Sequence, residues 1–297
     1  MKPSEAVSRS VAYLSAILLT LLINKESMAL ETAPGDYEPL PADANALLIY
    51  GQYVRSNDYY ASGNKVSNDF QFHSEIGLLR YIHAFALGSN AVIEPQAILP
   101  FGLLAAGGNA SFLGSNSGVG DLILGSPVKI GINQAKDVLA LGPYIYLPTG
   151  TYDPDKSLNL GANRWKFLFQ LAYIKHFTHD LAWDNVADVA FSTTNNQANS
   201  LGQSEGTRPR YEIQEYLRYN MTQTTTVGGG FGYVLGARDT LAGQLQPDML
   251  HELYTRIEVT QFLGKTWQVQ GELGRDISAS QGFKESLRIN LRLAKLF

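Results

Sequence analysis

From Asn45 to Phe297, apolar side chains fall on every second residue in one segment after another, and the connections between segments alternate, long then short. The last segment is the clearest. Counting back from Phe297, Leu293, Leu291, Ile289 and Leu287 share one face, with Arg292, Asn290, Arg288 and Ser286 on the other. Lys295 is the one break, close to the end where a lysine can reach an interface. Upstream, Trp165, Phe167, Phe169, Leu171, Tyr173 and Phe177 oppose Arg164, Lys166, Gln170 and His176, and Tyr211, Ile213, Leu217 and Tyr219 oppose Arg210, Glu212, Gln214 and Arg218. Leu181, Trp183, Ala187 and Val189 oppose Asp184 and Asp188, and the segments 249–259 and 267–276 repeat the theme. A period of two belongs to strands.

The short connections are Gly88-Ser89-Asn90, Asn133 to Asp137, Thr178-His179-Asp180, Thr222 to Thr225 and Gly264-Lys265. The long, polar ones are Ser56 to Asp69, Phe101 to Gly118, Thr149 to Ala162, Asn195 to Pro209, Asp239 to Pro247 and Ser278 to Gln281. Six long connections with five short ones between them imply about twelve antiparallel strands with both chain ends on one side. That is the pattern of a transmembrane up-and-down β-barrel with short periplasmic turns and longer outer loops. A soluble β-sandwich also alternates, but its apolar face points inward. Strands above ten residues, with aromatic side chains gathered near their ends as an interfacial girdle, favour the barrel. A mean hydropathy of −0.09 excludes a helical membrane protein, which needs several long apolar runs, but not a barrel whose strands average to nothing. The 297 residues contain no cysteine, which removes disulfides, thiolate metal sites and cysteine nucleophiles.

The N-terminus reads as a secretory signal over residues 1–29. Lys2 and Arg9 precede an apolar run from Val11 to Ile23, and Ser27-Met28-Ala29 places small residues where a signal peptidase cuts. Residues 30–45, with Pro34, Pro39, Pro41 and Gly35, read as an extended periplasmic segment, and 46–297 as the barrel. Cleavage removes Lys2, Arg9, Lys25, Glu5 and Glu26, so 23 bases and 27 acids become 20 and 25, a net charge of −5. Nothing in that balance favours nucleic acid. The outer membrane of a Gram-negative bacterium is the expected location and lipid the expected surroundings. The final strand ending in Phe297 resembles the assembly signal of outer-membrane proteins, which makes the barrel-assembly machinery an expected partner.

If the apolar faces meet lipid, the charged ones meet the interior. The expected lumen-lining acids are Glu75, Glu94, Asp121, Asp184, Asp188, Glu212, Glu252, Glu258, Glu272 and Asp276. The expected bases are Lys129, Arg164, Lys166, Arg210, Arg218, Arg256, Arg288 and Arg292. Mixed charges inside a barrel either cross-link and narrow it or line a polar path. No metal or cofactor is expected: His73, His83, His176, His179 and His251 form no recognised ligand spacing. Gly228-Gly229-Gly230-Phe231-Gly232 lacks the Lys-Ser/Thr of a phosphate loop and reads as room for neighbouring side chains in a strand. An outer-membrane lipid hydrolase needs a serine within reach of a histidine. His73 and Ser74, being adjacent, face opposite sides of a strand, so no catalytic constellation is visible and a non-enzymatic chain is expected.

Three stretches carry a resemblance: Gly118-Val119-Gly120-Asp121-Leu122, Pro148-Thr149-Gly150-Thr151-Tyr152-Asp153 and Asn159-Leu160-Gly161-Ala162-Asn163-Arg164-Trp165. Together they resemble the family named for a putative meta-pathway of phenol degradation, predicted outer-membrane barrels often encoded beside aromatic-catabolism enzymes. The resemblance spans about Asp43 to Phe297 and implies a channel or transporter for small hydrophobic or aromatic compounds. It transfers no catalytic residue. In physical terms, Pro148-Thr149-Gly150 ends a strand and turns the chain, so the block shapes an outer loop or gates a substrate. A porin-like barrel for passive or gated diffusion is therefore the expected function, with a structural or surface-interaction barrel as the alternative.

Cleavage after Ala29 is directly testable. N-terminal sequencing of the envelope-extracted protein should begin at Leu30; retention of Met1 would contradict the signal assignment.

Overall fold

The computed structural model describes residues 31–297; the expected signal peptide and its cleavage site lie outside them. Twelve antiparallel strands form the wall. They are β1 Asn45–Ala61, β2 Phe70–His83, β3 in two pieces (Ala91–Ile93 and Gln96–Gly108) and β4 in three (Ser115–Val119, Leu122–Gly125 and Val128–Gly131). β5 Val138–Leu147, β6 Lys166–His176, β7 Leu181–Ser192 and β8 Arg210–Asn220 follow. β9 Thr225–Gly236, β10 Leu250–Leu263, β11 Trp267–Ala279 and β12 Gly282–Leu296 complete the set. Each pairs with its neighbours in sequence, and β12 returns to β1 along a ladder from Ala46↔Leu296 to Tyr60↔Gly282. The sheet is a closed barrel, which leaves no edge strand with unpaired backbone for lipid to meet.

The two faces divide as the alternation requires. Ile257 is 62% exposed, Leu291 60% and Leu171 53%, whereas Arg256, Arg288 and Gln170 are buried on the opposite face. Apolar outside and charged inside is the reverse of a soluble sandwich, and it suits a wall set in hydrocarbon.

Several expected long connections prove shorter than their sequence spans. β1 continues to Ala61, and Asn64–Ser67 turns back to pair with it, so only part of Ser56 to Asp69 is loop. β3 continues to Gly108, and Ser278 to Gln281 shrinks to the two residues between β11 and β12. In these extensions the inner face is itself apolar, with Tyr59, Phe70, Phe72 and Leu104, so ladder pairing carries on where the alternation that reveals it has ended. Above the rim, Glu205–Thr207, Asp239–Leu241 and Gln244–Leu245 form a separate three-stranded sheet joining two long loops.

The C-terminus seals the seam. Asn45 and Phe297 exchange two backbone hydrogen bonds, Asn45 N to Phe297 O at 2.7 Å and Phe297 N to Asn45 O at 3.0 Å. Phe297 thus meets Asn45, three residues before Leu48 and five before Tyr50, whose partners are Ala294 and Arg292. Its ring is 62% exposed on the outside. Replacing Phe297 with Ser should leave both backbone bonds in place yet reduce the heat-modifiable folded form in outer membranes. Unchanged folded yield on semi-native gels would show that the ring has no part in assembly.

Candidate functional site

The interior is built from the inward half of each strand's alternation, and the structure adds an element that periodicity could not reveal. Residues 31–40, expected to hang outside as an extended segment, run inside the barrel. Thr32 donates from its backbone N and its hydroxyl to Gln214 Oε1, both at 3.1 Å. Gly35 N donates to Asp184 at 2.6 Å, Tyr37 OH to Gln170 at 2.8 Å and Leu40 N to Glu94 at 2.9 Å. Lys129 Nζ donates to the carbonyls of Asp36 and Glu38, both at 2.9 Å. Ion pairs complete the attachment: Asp36 with Arg292 at 2.6 Å, Glu31 with Arg256 at 3.3 Å and Arg288 at 3.5 Å, and Glu38 with His176 at 2.9 Å and with Arg218. The Tyr37 ring packs into an inward apolar socket of Val138, Ala140, Ala172 and Ile174. A segment with two prolines, Pro34 and Pro39, satisfies its backbone largely through side chains of the wall, because it has no ladder of its own.

Most expected interior charges are buried on the inner face, each with a partner. Lys129 meets Glu94 at 2.7 Å, and Arg210 meets Glu212 at 2.6 Å and Asp188 at 3.4 Å. Arg218 Nε binds Asp184 at 3.0 Å, Arg164 lies 3.8 Å from Glu205, and Lys166 sits 4.6 Å from the centre of the Tyr146 ring. Glu272 accepts from Asn290 at 2.6 Å and lies 4.0 Å from Arg256, while Glu258 accepts from Thr260 at 2.9 Å. Asp276 accepts from the backbone N of Glu285 at 2.6 Å, and Glu252 is half-buried beside the central cavity.

Of the pairs open between Arg256, Arg288, Arg292 and Glu258, Glu272, Asp276, Arg256–Glu272 forms at 4.0 Å, and the shorter contacts go to other acids. Arg288 binds Glu285 at 2.5 Å, Arg256 binds Glu285 at 3.3 Å, and the inserted segment supplies Glu31 and Asp36. Glu285 escaped the alternation because Ser286 is bulged out of the β12–β1 ladder, where Arg55 pairs with Leu287 but Ser56 pairs with Glu285. Above that bulge, odd residues turn inward.

Glu75 is the one expected lining residue that points the other way: it is exposed on the outer face, paired with Tyr53 and Leu103. In β2 the even residues are inward, namely Phe72, Ser74, Ile76, Leu78 and Arg80. The inner face here is itself apolar, which inverts the rule that charges mark the inside. The same inversion hid Arg80, whose Nε donates to Gln96 at 2.6 Å and whose guanidinium donates to Tyr50 OH at 3.2 Å.

The three sequence blocks that carry the family resemblance meet in space. The β4 wall breaks at Gly120-Asp121, and the Asp121 carboxylate accepts from Gly150 N and Ala162 N, both at 2.9 Å. Leu122 N donates to the Thr149 hydroxyl at 3.1 Å, and Asn159 Oδ1 accepts from Asp153 N at 2.9 Å. A Cβ on Gly150 would stand 2.7 Å from Gly161 Cα, so both must lack one for the strands of the knot to touch. Asp121 is therefore an anchor for the 148–165 loop rather than a free lining charge. The glycine run in β9 is explained similarly: a Cβ at Gly232 would strike the Tyr254 ring at 2.0 Å, and one at Gly228 would meet Pro34 of the inserted segment at 2.9 Å.

Between the inserted segment and the long loops lies a cavity of about 480 Å³. One wall, from β2 to β4 with Phe283 of β12, carries Phe72, Ile76, Leu78, Ile98 and Leu104; the opposite wall carries Arg210, Glu272 and Arg288. The histidines do not converge on it with a serine. His251's ring meets Tyr233 OH at 3.1 Å, and the Ser280 hydroxyl is held by the backbone of His251 and Met249 at 2.9 and 3.2 Å.

Comparison with known proteins agrees with this architecture. Residues 56–293 match the model of a family described as Putative MetA-pathway of phenol degradation. The crystal structure of an outer membrane channel from Pseudomonas putida F1 is similar at 38% identity and a TM-score of 0.89, covering 90% of this chain and 100% of that one. The translocator domain of the autotransporter NalP from Neisseria meningitidis shares the fold alone, at 12% identity and a TM-score of 0.50, covering 98% of this chain and 97% of that one. No curated protein matches the chain.

The shared acids give a stability test. Arg288→Ala removes one of the two guanidiniums that hold Glu285 and Glu31, and should destabilise the barrel by about 2–4 kcal/mol, near the lower part of the range for breaking a buried pair because Arg256 remains. The variant should also change conductance or ion preference in planar bilayers, whereas Leu291→Ala on the lipid face should do neither. The opposite pattern would overturn the inside-outside assignment of β12.

Proposed function

This chain belongs to the family described as Putative MetA-pathway of phenol degradation, and from that premise we propose that it admits small hydrophobic or aromatic compounds across the outer membrane by gated diffusion. One observation carries the reading: the cavity pairs an apolar wall with a floor made by the inserted segment. A general hydrophilic pore gains nothing from Phe72, Ile76 and Leu104 facing inward, where each costs hydration; an apolar solute gains a surface that replaces its water shell. With the long loops outward, the solute enters beneath the 148–165 knot and rests against this wall. Passage to the short-turn side then requires residues 31–40 to move.

The polar wall fits the gate. Its charges hold the segment through ion pairs and hydrogen bonds spread over seven strands, so release proceeds as a step rather than by gradual leakage. The acids of the segment, Glu31, Asp36 and Glu38, are the counter-ions of Arg256, Arg288, Arg292 and Arg218. When the segment leaves, those cations face water in the opened lumen instead of hydrocarbon, which keeps the cost of opening moderate.

Flux into liposomes tests both parts. A variant lacking residues 31–42 should conduct ions several-fold better than the intact protein. Ile76→Asn with Leu104→Asn should slow entry of a monocyclic aromatic about tenfold, the factor that corresponds to about 1.4 kcal/mol, while leaving ion conductance of the deletion variant unchanged. Absence of flux for any solute, with or without the segment, would favour a structural or surface-interaction barrel.

A further inference from the structure

The outer face carries a patch that neither the interior nor the lipid contact explains. Near their long-loop ends β6 to β9 present aromatic side chains outward, with Phe167 37%, Phe191 43%, Tyr211 50% and Tyr233 42% exposed. Across the seam, at the corresponding ends of β11, β12, β1 and β2, the outward residues are Arg275, Lys284, Arg55 and His73. Arg55 pairs across the sheet with Leu287 on one side and His73 on the other. Arg275 follows Gly274, whose partner Arg288 ends the paired register of β11 and β12; continued by one residue, that register sets Arg275 beside Leu287, two strand spacings, about 10 Å of backbone, from Arg55.

Arg55 and Arg275 are exposed, and neither has an ion pair among the described residues. Lys284 lies 5.8 Å from the centre of the Tyr60 ring, which Lys65 of the adjoining hairpin also approaches, at 6.0 Å. The nearby acids do not cancel this charge: Asp58 is taken by Lys65 at 2.6 Å, and Glu75 stands two residue pairs lower, opposite Tyr53. Arg55 is ten residues from Asn45 along a tilted strand, a rise of about 25 Å. That equals roughly the height of the apolar band, so the arginines sit at its far margin, where a charge leaves hydrocarbon for headgroups.

We propose that this patch binds the phosphate groups of lipid A, the glycolipid of the outer leaflet, through Arg55 and Arg275. The chemistry is charge complementarity at a fixed depth. A phosphorylated disaccharide presents anionic groups in the plane of the headgroups, guanidinium binds phosphate with two parallel N–H donors, and Leu287 between the arginines offers an apolar contact for the first acyl carbons. The asymmetry has a purpose at the seam: the glycolipid clamps the strands that close the barrel, β11, β12, β1 and β2. The inference is independent of what crosses the interior.

The test uses the folded mature protein in detergent, with bisphosphorylated lipid A and its dephosphorylated counterpart as probes and native mass spectrometry as the readout. Phosphorylated lipid A should bind at least about tenfold tighter than the dephosphorylated form. The double variant Arg55→Gln/Arg275→Gln should abolish that preference, and Arg55→Lys/Arg275→Lys should retain most of it. Heat-modifiable migration verifies that each variant is folded, and Lys136→Gln, at the short-turn end, should bind as the parent does. Equal binding of the two lipids by the parent protein overturns the proposal, as does a glutamine variant that still prefers the phosphorylated form.

Discussion

Everything in this molecule depends on the ladder between β12 and β1. Hydrocarbon offers no partner for a backbone N–H or C=O, so a sheet can cross a membrane only if it has no edge. The last fifteen-residue strand therefore has to find a seventeen-residue strand at the far end of the sequence, and the pair of bonds between Asn45 and Phe297 fixes where that search ends. Register along the seam then determines which residues face in. Two bulges on it, either side of Ser56, turn Glu285 and Tyr59 inward where an unbroken alternation would have turned them out. A local irregularity at the closing pair thus sets the chemistry of the lumen.

The interior is crowded with charge, and that charge is organised around a piece of backbone. Arg256, Arg288 and Arg292 sit on two neighbouring arcs of the wall and would repel one another if alone. Glu285 and the inserted Glu31 and Asp36 lie among them. Across the lumen the roles reverse: Asp184 and Glu94 accept from the backbone N–H groups of Gly35 and Leu40. The segment is held through its carboxylates Glu31 and Asp36 on one side, and on the other through its amides together with the Glu38 carboxylate, which meets Arg218 and His176. Its position is therefore specified by many directional contacts rather than by apolar burial, apart from the Tyr37 socket.

The strand count, the closed barrel and the outward apolar faces were legible because alternation and loop length are written in sequence at short range. Arg218, Arg288 and Arg292 could be placed inside by their neighbours alone. Glu75 and Arg80 could not, since β2 buries Phe72, Ile76 and Leu78 on the same face as its arginine. There the periodic signal has the right period and the wrong phase. Glu285 was hidden by a bulge, which shifts phase without leaving a mark on composition. Residues 31–40 were least legible of all. A proline-rich stretch has no period, and its partners are scattered from Glu94 to Arg292 in sequence, so only closure of the barrel brings them together.

The apolar side of the lumen and the loop knot share one cause. Asp121 interrupts β4 at the level where the wall turns from apolar to polar, and its carboxylate is spent on the amides of Gly150 and Ala162. That draws the 148–165 loop inward, so that Leu158 and Leu160 pack against Tyr59, Phe70, Phe72 and Leu104 above the cavity. The apolar wall is thereby roofed by its own kind rather than by water, and a polar solute would have to displace that packing to enter. The residues that mark the family, glycines that permit contact and one carboxylate that enforces it, act on the shape of the entrance. The charges that alternation reveals line the opposite wall of the cavity and, further in, hold the inserted segment. The apolar roof and the inserted segment thus close the barrel at opposite ends of one cavity, each held by its own set of contacts.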